Sequence, residues 1–148
     1  MIFLFLISSC ATTKEQTNEK EVPARIVFLT YHIKKNTKKE SDITFLNHKL
    51  VDGKIKGYSN NEKNLSEGDL ECAFLDKDRK VLQVVKVENP LRKVVEYVND
   101  SNHLEKRIIE LDSTQFVIRA PYMENTKYLE ISEISSDKTP RKLLTTKL

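Results

Sequence analysis

The run Leu70-Glu71-Cys72-Ala73-Phe74-Leu75 is followed by Asp76-Lys77-Asp78-Arg79 and then by Val81-Leu82-Gln83-Val84-Val85-Lys86-Val87-Glu88. Two segments rich in aromatic and β-branched residues, split by a short polar cluster, have the pattern of a β-hairpin with a turn longer than two residues. Asn89-Pro90 ends the second arm, because proline has no N–H for a sheet ladder and biases its predecessor away from helix. This is the clearest β signal in the chain, and the neighbouring segments repeat its grammar.

Upstream, Ala24 to Ile33 puts Val27, Leu29, Tyr31 and Ile33 on one face and Ile26, Phe28 and Thr30 on the other, as in a central strand covered on both sides. Lys34, Lys35, Lys38 and Lys39, broken by Asn36 and Thr37, then read as a solvated hairpin tip, and Ile43 to Val51 returns as a strand. Asp52-Gly53 stands directly before the alternating Lys54-Ile55-Lys56 and predicts another hairpin, since both central residues of a type I′ turn need positive φ. Ser59 to Gly68 is polar and aperiodic. It reads as a loop, with at most one helical turn after a Ser59/Glu62 capping box.

Downstream, Arg92 to Val98 resumes the β pattern, Asn99 to Asn102 makes a turn, and Leu104 to Leu111, Thr114 to Ala120 and Tyr128 to Ile134 follow as strands. In the second of these, Phe116, Ile118 and Ala120 share a face that should meet the core. The tail from Lys138 to Leu148 leaves two readings open, an edge strand through Leu143 to Thr145 or a frayed end. No helix-period stripe appears, and turn signals recur about every 8 to 12 residues. The expectation is an all-β chain, an antiparallel β-sandwich of about seven to nine strands in an immunoglobulin-like or related Greek-key arrangement. The Cys and Trp pattern of antibody domains is absent, since the chain has no Trp.

The first ten residues concern location. The apolar run Met1 to Ile7 leads through Ser8 and Ser9 to Cys10, and Ile7-Ser8-Ser9-Cys10 resembles a lipobox, the cleavage and lipidation motif of bacterial lipoproteins. The resemblance covers these residues alone. It implies that Cys10 receives diacylglycerol, that a dedicated peptidase cuts before it, and that two or three acyl chains then hold the domain to a bilayer almost permanently. Met1 to Ser9 is shorter than the roughly 15 to 30 residues of an export signal and carries no Lys or Arg, which points to a truncated or displaced start. A transmembrane helix would need about 20 apolar residues, and the run stops at Cys10. The implied division is a signal at 1–9, a lipidated Cys10 and polar tether over 10–22, and one sandwich domain over 23–148. Ala11 is not the Asp that retains some lipoproteins in an inner membrane, so the resemblance implies an outer-membrane address if the source has two membranes.

Composition narrows the partners. Charged residues make up 32% of the chain, mixed in sign, with a net charge of +3, which describes a solvated surface and not a nucleic-acid footprint. No aromatic residues interleave with the lysine cluster to stack on bases, so no nucleic acid is expected. With Cys10 lipidated, Cys72 stands alone in an apolar strand, where a thiol reads as a small core residue. The carboxylates Glu67, Asp69 and Glu71 alternate as if on one strand face, near Asp76 and Asp78, but Lys77 and Arg79 sit among them and no EF-hand spacing is present. No metal or other cofactor is expected.

His32, His48 and His103 are scattered, and the three glycines form no phosphate-cradling loop. Ser135-Ser136-Asp137-Lys138 has a Ser-x-x-Lys spacing without companion motifs and reads as a turn. Among Tyr31, Tyr58, Tyr97, Tyr122 and Tyr128, the candidates for a sugar-binding platform are Tyr58 and Tyr122, because each adjoins a loop. The sequence therefore points to a lipid-anchored, non-catalytic envelope module, structural or binding a protein or glycan. The competing reading is an envelope hydrolase whose residues converge only in the fold.

Overall fold

The computed structural model describes residues 23–38, 40–57 and 64–148. Within them lie nine strands and no helix. The strands are β1 (Arg25–Lys35), β2 (Ser41–Asp52), β3 (Leu70–Leu75), β4 (Val81–Val87), β5 (Arg92–Val98), β6 (Leu104–Glu110), β7 (Ser113–Pro121), β8 (Tyr128–Ile134) and β9 (Pro140–Lys147). Every pairing is antiparallel. A three-stranded sheet in the order β2-β1-β7 packs on a four-stranded sheet in the order β4-β3-β8-β9, and β5-β6 forms a separate ribbon.

The two larger sheets make the β-sandwich. Strand β2 lies against β9 and β7 against β4, so β1 runs above β8 and β3. Alternation along the strands supplies both inner faces: Val27, Leu29, Tyr31, Ile33, Phe116, Ile118 and Ala120 from one sheet, the two sets separated in the sequence, and Leu70, Cys72, Phe74, Leu129 and Ile131 from the other. All of these are buried. Tyr31 stacks on Phe116 at 5.7 Å and donates its hydroxyl across the sandwich to Thr146 Oγ1 at 3.2 Å, so the largest core side chain has its polar end satisfied. The order β4-β3-β8-β9 matches the C′-C-F-G sheet of immunoglobulin variable domains. The opposite sheet departs from that pattern, because its edge strand β2 follows its neighbour β1 in the chain where strand A precedes B.

Turn chemistry is repeated where hairpins close. Asp76 Oδ1 accepts from the amides of Asp78 (2.8 Å) and Lys80 (2.9 Å), and Asn99 Oδ1 does the same for Ser101 (3.0 Å) and His103 (2.9 Å). Asn36 Oδ1 takes the amides of Lys38 and Glu40. Arg79, Asn102 and Lys138 occupy the left-handed region in their turns, at φ 65, 61 and 64. The Ser135 to Lys138 segment is thus a turn, with the Ser135 hydroxyl 2.6 Å from Asp137 Oδ1. Hydrogen bonds from the Ser135 and Thr139 hydroxyls hold the Asp137 carboxyl down to about 2.

Two sequence expectations change and one left open is decided. Asp52-Gly53 does not open a hairpin: Asp52 is the last residue of β2, it lacks positive φ, and the Gly53 amide donates to Ala24 O at 2.8 Å, closing the β1–β2 ladder. Among the described strands the three-residue alternation after it finds no partner. Glu67, Asp69 and Glu71 do not share a strand face, because β3 begins only at Leu70 and Asp69 turns back to bind local amides. The C-terminal segment is an edge strand eight residues long, with Pro140 as its first residue, the position where a missing N–H costs no ladder bond.

Truncating Ile131 at the centre of β8 should cost about 2–5 kcal/mol in urea unfolding, while Val81→Ala on the exposed edge should cost less than about 1 kcal/mol. Burial pushes the Tyr31 phenol from 10.0 and the Cys72 thiol from 9.0 up to about 12 each. Both groups are neutral in the fold and ionise earlier when unfolded, so stability is complete below about pH 9 and falls as pH rises towards about 12. Urea midpoints measured across that window should drop in the parent, and Cys72→Ala should flatten the slope by up to about 1.4 kcal/mol per pH unit.

Candidate functional site

Two features of the sandwich lack a structural explanation within it. One is the β5-β6 ribbon, an arm of two seven-residue strands about 20 Å long that, among the described strands, contact essentially only each other. Cross-strand register puts Val94 opposite Ile108, Glu96 opposite Lys106 and Val98 opposite Leu104 on one face. The four apolar residues of that face are 58%, 49%, 59% and 69% exposed in the order Val94, Ile108, Val98, Leu104. Between the two apolar rows Lys106 Nζ lies 3.1 Å from Glu96 Oε1. On the other face Tyr97 donates its hydroxyl to Glu105 Oε2 at 2.7 Å, which raises the Tyr97 pKa and, with Asn99, lowers that of Glu105.

The root of the arm is firmly built. Leu91 is buried in the sandwich core, and its carbonyl accepts from Leu111 N at 2.8 Å, so the two strands leave the body clamped together. Asn89 Oδ1 caps Leu91 N at 3.0 Å, and Asp69 carries the amides of Ser66 (2.8 Å) and Asn89 (2.9 Å) on its two oxygens. Gly68 packs so closely on Asn89 that a Cβ would collide with that side chain, and its φ of 82 independently excludes most L residues. Lys35 Nζ lies 3.6 Å from Glu110 at the opposite strand. A cleft of about 330 Å³ runs beside this root, lined in part by Ser66, Glu67, Lys86, Arg92 and Val94.

The second feature is a cavity of about 130 Å³ at the end of the sandwich where the β7–β8 connection crosses between the sheets. Its wall includes Val27, Leu29, His48, Leu50, Phe74, Tyr122 and Thr126. A bulge in β2 creates part of that wall. Tyr31 pairs with Phe45 but Thr30 with Asn47, so Leu46 is the extra residue, and beyond it His48 and Leu50 face inward beside Leu29 and Val27. Strict alternation would have placed Asn47 and Lys49 there. Thr126 is only 7% exposed, and among the described residues its Oγ1 is the buried side-chain oxygen without a hydrogen-bond partner. An unpaired buried hydroxyl costs about 1–3 kcal/mol.

Of the residues singled out in the sequence, Cys10 and Tyr58 lie outside the described residues. Tyr122 is half-buried against the cavity, with the Arg25 guanidinium 4.6 Å over its ring, so it is not a flat open platform. The other described tyrosines do not join it: Tyr31 is in the core, Tyr97 is on the arm, and Tyr128 lies beneath Arg79 at 3.7 Å. His32 sits on β1, His48 beside the cavity and His103 at the arm's turn, so the histidines do not converge. Cys72 is buried with its thiol pKa pushed up, the state of a core residue and not of a nucleophile. Among the described residues no group of three or more His, Cys, Asp or Glu is placed to hold a metal ion. The arm's face and Thr126 were missed because exposure and pairing of this kind are tertiary facts; Val94, Val98, Leu104 and Ile108 have the same alternation as any core strand.

No protein family, curated protein or solved structure matches this chain.

Gly68→Ala should destabilise the arm root by about 1–3 kcal/mol or more, since strain and collision add. Gly57→Ala, at φ 65 with open space around it, should cost only about 1–2 kcal/mol. Thermal unfolding read alongside amide exchange of Leu91 and Leu111 tests this: equal effects of the two substitutions would contradict the packing described.

Proposed function

We propose that this chain is a lipid-anchored β-sandwich lipoprotein of the cell envelope that works without catalysis, as a module that binds a protein partner through the β5-β6 arm. The observation that carries the binding half is the arm's exposed face of Val94, Ile108, Val98 and Leu104. A two-stranded ribbon is marginally stable alone in water, and its apolar side chains gain nothing from projecting into solvent. The fitting partner is a protein surface with two apolar strips separated by groups that meet the Glu96–Lys106 pair with opposite charges. The scattered tyrosines give a glycan less to stack on than a protein has here.

The anchor half is supported by Ile7-Ser8-Ser9-Cys10 and by the polar stretch that follows it. If Cys10 carries the acyl chains, the dozen residues from Ala11 to Val22 form a tether whose typical reach is about 20 Å. That length lets the sandwich stand off the bilayer and turn its arm toward a neighbour. With Ala11 after the cysteine, the outer membrane is the address in a two-membrane source.

Two substitutions separate the halves. Cys10→Ser should move the full chain from the membrane fraction to the soluble one. The pair Val98→Lys and Leu104→Lys sits at the arm's exposed end and should leave the melting temperature within a few degrees of the parent. It should weaken photo-crosslinked capture of the envelope partner about 100-fold, from about 1.5 kcal/mol for each apolar side chain no longer buried. Membrane retention of the Cys10 variant would sink the anchor, and an unchanged set of crosslinked proteins with the arm variant would sink the arm.

A further inference from the structure

We propose that the end of the sandwich where the chain enters β1 docks on an anionic lipid surface, with a set of unpaired lysines meeting phosphate-bearing headgroups. Four segments meet at that end: Pro23 and Ala24 ahead of β1, residues 53–57 after β2, the β3–β4 turn and the β7–β8 connection. Arg25 pairs with Asp52 and Ile26 with Pro121 in one sheet, Leu75 with Tyr128 and Tyr128 with Lys147 in the other. Lys127 N donates to Leu75 O at 2.8 Å and the Gln83 side-chain amide to Pro121 O at 3.0 Å, so the two sheets end together. Six lysines are exposed there, Lys54, Lys56, Lys77, Lys80, Lys127 and Lys147. Among the described residues none of them has a carboxylate partner.

The acidic side chains at this end do not cancel them. Glu124 is paired with Arg25 at 3.3 Å, and Arg79 over the Tyr128 ring adds a cation, which leaves the six lysines and Arg79 against Asp52, Asp76 and Asp78. The opposite end, from which the arm departs, is built differently. Its bases are answered by carboxylates: Lys34 by Asp42 at 3.7 Å, Lys35 by Glu110 at 3.6 Å and Arg141 by Glu133 at 2.7 Å. Glu67, Asp69, Asp112 and Asp137 add further negative charge there. The eleven residues of β1, at about 3.3 Å each, separate the two ends by about 35 Å. That is several times the screening length of about 8 Å in physiological salt, so a membrane against one end feels essentially the charge of that end alone. Because Pro23 stands at the basic end, a tethered domain lying on this face turns its arm away from the bilayer. The face does not need the acyl chains: its lysines belong to the folded domain, and each one near an anionic surface raises partition about 5-fold.

The test uses the full chain carrying Cys10→Ser, so that failure of the acyl anchor and failure of this face are read separately. Vesicles of phosphatidylcholine with about one third phosphatidylglycerol should bind it at least about 100-fold more tightly than phosphatidylcholine alone at about 0.1 M salt. The difference should vanish at about 1 M salt, where the screening length falls to about 3 Å. Lys54→Gln with Lys56→Gln should lower affinity for the anionic vesicles about 30-fold. Lys38→Gln with Lys93→Gln removes the same charge from the β1–β2 tip and the arm, and should change affinity less than about 2-fold. All four lysines are exposed, so circular dichroism should show the parent sheet in both variants. In nanodiscs doped with a paramagnetic lipid, the amide signals of Lys56, Lys77 and Lys127 should broaden while those of Asn99 to Asn102 stay sharp. Equal binding to neutral and anionic vesicles would overturn the proposal. So would equal effects of the two lysine pairs, which would mean that net charge alone draws the chain to lipid, or broadening centred on the arm's turn.

Discussion

The alternating face of β1 meeting the inner faces of β3 and β8 is the contact on which the structure depends. Leu29, Tyr31 and Ile33 from one sheet and Leu70, Cys72, Phe74, Leu129 and Ile131 from the other lie between two hydrogen-bonded layers and are almost wholly removed from water. Each such side chain contributes about 1.5–3 kcal/mol on burial, and neither sheet could bury its face alone. The pairings of β1 with β7 and of β3 with β8 follow from this, because they knit strands distant in the chain into the two layers that must face each other. The Tyr31–Thr146 hydrogen bond then ties edge strand β9 to β1 across the sandwich without leaving the Tyr31 hydroxyl unpaired.

Much of this was legible in the sequence, and the reasons for the exceptions are physical. Period-two patterning separated the two faces of β1 and placed Phe116, Ile118 and Ala120 of β7 inward, since a one-residue slip would turn a whole apolar face to water. Strict alternation does not hold beyond Leu46 in β2, where a bulge adds a residue and reverses which side chains face in. Asp52-Gly53 misled because turn propensity is local, whereas a hairpin also requires a second strand with a sheet edge to join; Gly53 instead bonds to Ala24. The alternation of Glu67, Asp69 and Glu71 misled in the same way, as Asp69 contributes more as an acceptor for two amides than as a strand residue.

The arm is the sharpest case of what pattern alone conceals. Val94, Val98, Leu104 and Ile108 are spaced like core residues, and only the absence of an opposing layer among the described strands distinguishes them from Phe116 and Ile118. The sandwich edges show the contrasting treatment. Strand β9 carries Arg141, Lys142 and Lys147, with Arg141 and Lys142 paired to Glu133 and Glu130 at 2.7 and 2.6 Å, so charge covers that edge. The arm has charges too, but they are spaced between apolar rows instead of replacing them. A surface built only to stay solvated would not keep four large aliphatic side chains on one face.

Rigidity is distributed to match. The arm's root is buttressed by Leu91 in the core, by the Asp69 and Asn89 acceptors and by the close packing of Gly68, while among the described strands its far half is contacted by none but its own two. Opening of the far half therefore needs no rearrangement of the sandwich, and the local free energy of opening should be lowest there and highest at β1 and β8. An arm with this gradient keeps its direction fixed by the body while its far half is free to adjust. The core contact of β1 on β3 and β8 makes this gradient possible by holding the sheets in register around Leu91 at the arm's root.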